Sequence, residues 1–360
     1  MEINNLEDFN KEKERVNINN KKETNKTNKK TIKGVDSNVI LILFGLVVGI
    51  IISGSFGIDL FGKNDNVFDI EKNVLENGGK TWVAFDDPIV MVNVVSDESC
   101  ESCEYESVLD IIKTIVPTMD AVNVNFDSEE GKNLIDSFEI KTLPAFVFSS
   151  NVSGIKEYEK IGDVLIKNES GYILDAVKTG IPVGRNLGAP KTEDDDATKG
   201  STDAEVIIIE FSDFECPYCN EAKNVLDEVL KSYPEQVRLV YKHFPLPPPE
   251  HENAQKAAEA SQCANDQGKF WEMHDLMFED QNKLTVSDLR NTAKKLELNI
   301  AEFNECLDSD KYAQKVYDDL DIGLNYGVRG APAFFVNDQF LSGIMSIDEF
   351  KNVIDNELSK

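Results

Sequence analysis

The chain has 360 residues, 41% hydrophobic and 29% charged, which is an ordinary globular composition with room for two medium-sized domains. A formal net charge of −29 argues against a nucleic-acid-binding surface, because neutralising phosphates needs clustered Lys and Arg. The same charge favours solubility and gives weak attraction to anionic lipid.

Residues 1–38 carry nine Lys or Arg against seven acids, lack apolar periodicity and read as a disordered cytoplasmic tail. The stretch Val39–Ile58 then has no charged residue and is long enough to cross a hydrocarbon core of roughly 30 Å as a helix. It reads as a transmembrane signal anchor. A buried core helix is disfavoured by the polar flanks, and a cleaved signal peptide, with small residues at Ser53-Gly54-Ser55, by the long lead before it. Lysines on its N-terminal side place the tail in the cytoplasm and the body outside the cell membrane, as a single-pass protein. Residues 59–80 follow as a juxtamembrane spacer.

Two folded segments are expected, 81–188 and 204–360, joined by a polar linker over 189–203 that contains Thr192-Glu193-Asp194-Asp195-Asp196. Both begin alike. Ile89–Val95 and Val206–Phe211 are short β-branched runs of the kind found in buried parallel strands, and each is followed by a C-x-x-C. Apolar residues then recur at helical spacing (Val108, Ile111, Ile112, Ile115; Ala222, Leu226, Val229, Tyr233) until Pro117 and Pro234. Further strands are expected at Ala121–Asn125 and Val237–Tyr241. Later in each copy a proline precedes an apolar run, at Pro144 and at Pro332. The second copy holds an additional Ala-rich helical stretch, about 250–326, and closes on Ser346-x-x-Glu349, a capping box. The chain therefore reads as α/β with one unit duplicated.

All six cysteines (Cys100, Cys103, Cys216, Cys219, Cys263, Cys306) lie beyond the apolar stretch, where export permits disulfides. Thiol–disulfide exchange needs an attacking thiolate, a resolving thiol nearby and access for a substrate. A C-x-x-C at a helix start supplies these, since free N–H groups and the helix dipole stabilise the first sulfur as an anion. Cys216 is the expected nucleophile and Cys219 the resolving thiol. A zinc site is the competing use of two such pairs, but they stand more than a hundred residues apart, each between strand and helix. No metal is expected. Neither copy has a Gly-rich phosphate loop, so no cofactor is expected either.

Glu210-Phe211-Ser212-Asp213-Phe214-Glu215-Cys216-Pro217-Tyr218-Cys219, with the later Gly330-Ala331-Pro332-Ala333-Phe334-Phe335, resembles the DsbA-like branch of the thioredoxin superfamily over about 204–360. The resemblance implies a thioredoxin-like core with a helical insertion over 204–360; with the duplicated first copy and the apolar stretch, the fold expected is two tandem thioredoxin-like domains, the second with the insertion, preceded by one transmembrane helix. It implies a cis Pro332 against the cysteine pair, with the backbone of Ala331 exposed to a substrate strand. Ala331 departs from the Thr or Val often found there. Glu210 stands six positions before Cys216, where such proteins place a buried acid that shuttles the proton of Cys219; an acid held by a lysine or water is the alternative. A structural disulfide between Cys263 and Cys306 is implied in the same way, with two separate buried thiols as the other reading.

The first pair, Cys100-Glu101-Ser102-Cys103 with Leu143-Pro144, resembles a second redox site but lacks the upstream acid and is crowded by Glu98, Glu101, Glu104 and Glu106. It is either an electron relay or a degenerate site held by a disulfide staple. The function implied is an extracytoplasmic oxidoreductase that forms disulfides in exported proteins. Its implied partners are those substrates and a quinone-linked membrane protein of the DsbB or VKOR type. Reduction or isomerisation, and a non-catalytic membrane-anchored binding module, are the alternatives.

Overall fold

The computed structural model describes residues 87–360, together with the backbone of strands β1 (Asn73–Asn77) and β2 (Lys80–Ala84), an antiparallel pair. The chain divides into two compact units, with the boundary between Arg185 and Asn186.

In the first unit, β3 (Val90–Ser96) is an inner strand of a five-stranded sheet. It runs parallel to β4 (Met119–Asn125), reached through helix α1 (Glu106–Ile115). Helix α2 (Glu129–Phe138) and the two-residue strand β5 (Thr142–Leu143) follow, and then a cis peptide bond joins Leu143 to Pro144. Strand β6 (Ala145–Phe148) pairs antiparallel with β3, and β7 (Leu165–Lys167) and β8 (Tyr172–Leu174) complete the order β4-β3-β6-β8-β7. Alternation sets the core: Val90, Val92 and Val94 point to one face and pack with Ile112, Val116, Phe146 and Phe148. The short helix α3 (Ala176–Thr179), capped by Asp175, precedes the boundary.

The second unit begins in what the sequence presents as linker. Residues Ala197–Gly200 form strand β9, antiparallel to β11 (Val237–His243). Asp196 just before it is buried, 2.7 Å from the buried ammonium of Lys242. An acidic stretch folds in here because a buried cation in β11 requires a partner. Strand β10 (Val206–Ser212) leads through α4 (Pro217–Ser232) to β11, a parallel crossover. Five helices follow: α5 (Ala254–Asn265), α6 (Phe270–Glu279), α7 (Val286–Lys295), α8 (Ile300–Asp308) and α9 (Ala313–Asn325). The chain then returns through a cis Ala331–Pro332 bond into the hairpin β12 (Ala333–Val336) and β13 (Gln339–Ser342). Asn337, at φ 48°, makes that two-residue turn. The sheet order is β9-β11-β10-β12-β13. Helix α10 (Ile347–Leu358) opens with the reciprocal Ser346–Glu349 capping box and buries Phe350 and Ile354 against the sheet.

The fold class read from the sequence, two tandem thioredoxin-like domains preceded by one transmembrane helix, is corrected by these observations. No helix among the described residues is long and apolar enough to cross a membrane. The longest, α4, has 16 residues and so rises only about 24 Å. The expected span Val39–Ile58, with its cytoplasmic tail, lies outside the described residues. What stands is an α/β chain with a thioredoxin-like domain in its C-terminal half.

Candidate thiol–disulfide site

Cys216 is the N-cap of α4, with Pro217 in the first helical position, where a missing N–H costs nothing. Cys219 lies one turn inside and is fully buried with Ala222, Leu226 and Val229. Both thiols are free. The sulfur of Cys216 lies 3.4 Å from the carbonyl oxygen of Ala331, the residue before cis Pro332. Strand, helix start and cis-proline loop thus meet at one sulfur. The helical insertion holds the loop in place: Gln281 Nε2 donates to the carbonyls of Phe214 and Cys216, both at 2.9 Å.

The two thiols are electrically unlike. The Cys219 thiol donates to Cys216 and lowers its pKa to about 7, against the effect of burial, with the N–H groups of Cys219 and Tyr218 adding. Asp213 pushes the other way. Burial first, and Cys216 next, push the Cys219 thiol well above its usual value. Near neutral pH the first sulfur is therefore partly thiolate and the second is a thiol.

Glu210 is buried, and burial pushes its carboxyl up to about 7, with Asp227 adding, against Ser212 and Lys223. Glu210 and Ser212 are two apart on β10 and share a face, and Tyr241 stands directly opposite Glu210 on β11. The Ser212 hydroxyl works against the upward shift of both Glu210 and Cys219. Glu210 Oε1 and the Ser212 and Tyr241 hydroxyls are buried without a hydrogen-bond partner among the described residues. Buried polar groups without partners are exceptions in a folded chain. Sequence reasoning found Glu210 and missed Ser212 and Tyr241. The period-two spacing from Glu210 to Ser212 was the available signal for the first.

Asp213 and His251 are the other residues that sequence reasoning did not place. His251 Nδ1 lies 2.9 Å from Asp213 Oδ2. Tyr218, by contrast, is exposed within the C-x-x-C.

Cys263 in α5 and Cys306 in α8 are joined by a disulfide, with Cα atoms 5.9 Å apart. Cys100 and Cys103 are also joined, with Cα atoms 5.3 Å apart. That pair sits in a turn closed by the Cys103 N–H to Cys100 C=O bond, while α1 begins only at Glu106. The helix dipole therefore does not act on Cys100 as it does on Cys216. Val94 stands where Glu210 stands in the second unit, buried and without charge. The chain also packs onto this turn. Gly184 donates its N–H to the carbonyl of Leu143, beside cis Pro144, and accepts from the Ser102 hydroxyl, both at 2.9 Å. A Cβ on Gly184 would lie 2.5 Å from the Ser102 oxygen. Arg185 next to it pairs with Asp97 and lies over the Phe126 ring.

Among the described residues the carboxylates of Glu193, Asp195 and Asp196 are mutually close, but Lys315 lies within 3.4 Å of each and supplies the positive charge.

The fold and the paired cysteines define the second unit as a thioredoxin-like domain. Residues 192–356 match the sequence family described as Thioredoxin, a span that leaves the first unit out and gives no support to a second domain of that family. Over 163 residues, 45% of the chain, it is 39% identical to a Na(+)/H(+) antiporter NhaA 3 from Salinispora tropica. It is 35% identical over 167 residues, 46% of the chain, to an NhaA 1 from Mycolicibacterium vanbaalenii. The chain spans only about a quarter of the length of these curated relatives (25% and 27%). Among solved structures it is similar to BdbD from Bacillus subtilis in its oxidised form, with 24% identity, TM-score 0.44, and coverage of 48% of this chain and 98% of that one. A thioredoxin-like oxidoreductase from Silicibacter pomeroyi gives 22% identity, TM-score 0.44, and coverage of 47% and 95%.

Proposed function

We propose that the second unit is a thiol–disulfide oxidoreductase acting on cysteines of exported proteins, with Cys216 as the exchanging sulfur. The observation that carries this reading is the geometry of two free, buried cysteines at the start of α4: Cys216 caps the helix with its sulfur 3.4 Å from the carbonyl before cis Pro332, and Cys219 lies one turn in. In the disulfide-forming direction a substrate thiolate attacks the Cys216 sulfur of the oxidised pair. The Cys216–Cys219 bond breaks, and Cys219 leaves and takes a proton, for which Glu210, with its pKa near 7, is the donor. A second substrate thiolate then attacks the substrate sulfur of the mixed disulfide and Cys216 leaves as a thiolate. Two electrons have passed from the substrate to the pair. A quinone-linked membrane partner is the proposed acceptor that re-oxidises it. The two disulfides elsewhere in the chain support an oxidising compartment.

The test is Cys219→Ser, which leaves Cys216 able to attack and unable to be released. Incubation with a disulfide-bonded substrate is expected to accumulate a mixed disulfide at Cys216, identified by peptide mass spectrometry. A variant that traps nothing, or traps at Cys100, would remove Cys216 from the reaction.

A further inference from the structure

Two carboxylates, Asp213 and Glu215, stand just before Cys216, where negative charge disfavours a thiolate. Both are engaged by the loop after β11. Asp213 Oδ2 accepts the Leu246 N–H at 2.7 Å, while Glu215 accepts the N–H and Nδ2 of Asn253 at 2.7 and 2.8 Å. Between these straps His251, itself buried, brings Nδ1 to 2.9 Å from Asp213 Oδ2. Asp213 is also tied to the dithiol. Its N–H donates to Cys219 Sγ at 3.4 Å, and its carbonyl accepts the Cys216 N–H at 3.1 Å. The titratable groups facing His251 are Asp213, Glu215 and Cys216 from the active loop, Glu252 beside it, and Tyr317 of α9. Glu252, Tyr317 and His251 line a cleft of about 140 Å³ with Pro245, Leu246 and Pro248.

We infer that His251 is a positioning residue for the nucleophile: its imidazolium neutralises Asp213 and so holds Cys216 in its reactive, ionised form. The inference rests on Cys216 being the exchanging sulfur. Burial works against a charged His251, but Asp213, with Cys216 and Glu215 adding, outweighs it and raises the imidazole above its ordinary 6.5. When the imidazole holds its second proton, its charge stands 2.9 Å from the Asp213 carboxylate and offsets it. Removing the imidazole alone leaves Asp213 with the Leu246 and Glu215 N–H groups but no counter-charge, three residues from Cys216. Removing both charges together restores neutrality. The coupling is reciprocal, since a thiolate at Cys216 strengthens the hold of His251 on its proton.

The experiment follows the rate of alkylation of Cys216 by iodoacetamide against pH, in the full chain, read on the Cys216 peptide by mass spectrometry. The wild-type midpoint is expected at about 7. His251→Gln is expected to raise it by roughly one pH unit, which lowers the thiolate fraction at pH 7 about fivefold. Adding Asp213→Asn to that variant is expected to bring the midpoint back to within a few tenths of wild type. A packing role alone would lower the melting temperature of both variants and leave no such reversal. An unchanged midpoint in His251→Gln overturns the inference, as does a rise that Asp213→Asn does not reverse. Should His251→Gln fail to fold, Asp213→Asn alone decides: a midpoint near wild type is expected, and a clear fall, which would mean that Asp213 was not neutralised, contradicts it. Wild-type chain that exchanges no disulfide while the midpoints are ordered as expected would instead count against the proposed function.

Discussion

Glu210→Gln isolates the effect of a buried acid whose ionisation is unfavourable in the folded chain. Burial pushes the carboxyl from its ordinary 4.5 up to about 7. The folded protein therefore binds this proton more tightly than the unfolded chain does. Below pH 4.5 the group is protonated in both states and has no effect on stability. Between 4.5 and 7 only the unfolded chain releases the proton, so stability falls as pH rises, and above 7 the loss levels off. At about 1.4 kcal/mol per pKa unit, the loss totals about 3 kcal/mol. Glutamine keeps the shape without the titration. In urea unfolding at pH 5 and pH 8, wild type should lose about 2.5 kcal/mol more than Glu210→Gln between the two conditions, since part of the loss is already complete at pH 5. Parallel losses in the two proteins would refute the reasoning. The same variant should slow release of Cys219 on the order of a hundredfold if its carboxyl supplies the proton.

Lys242 is fully buried between Asp196 at 2.7 Å and Asp319 at 3.1 Å, so Lys242→Met should cost about 3–5 kcal/mol by urea unfolding, because buried carboxylates lose a partner. A loss under 1 kcal/mol would show that Lys315 alone suffices. Gly184→Val places a side chain against the Ser102 carbonyl and the Cys103 backbone, so it should lift this segment and speed reduction of the Cys100–Cys103 disulfide by dithiothreitol severalfold. An unchanged rate would mean that the segment does not shield it. Replacing Cys263 and Cys306 together by Ala should lower stability by roughly 2–4 kcal/mol, since their disulfide closes a loop across 43 positions. A variant as stable as wild type would show that helix packing alone holds the insertion.

Much of this architecture is local enough to read from residues. The β-branched runs before each C-x-x-C, the helical spacing that ends at Pro234 and the Ser346–Glu349 box are patterns within a few residues of one another. Glu210 was visible because it stands six positions before Cys216, where the resemblance places a buried acid. Tyr241 and His251 were not, since they reach the site only through pairing of β10 with β11 and the return of the loop after β11. The stretch read as linker misled for a related reason. Thr192–Asp196 is polar in isolation, yet Asp196 is buried because Lys242, nearly fifty residues later, requires it. The two C-x-x-C pairs looked equivalent in spacing, but only the second opens its helix. Helix registration depends on where the first turn closes, and two intervening residues do not fix that.

The most direct test is turnover of a disulfide substrate, such as insulin reduction or oxidative refolding of a reduced protein, by wild type and Cys216→Ser. The account predicts that Cys216→Ser abolishes turnover while Cys100→Ser/Cys103→Ser keeps most of it. Turnover that survives in Cys216→Ser would contradict the account.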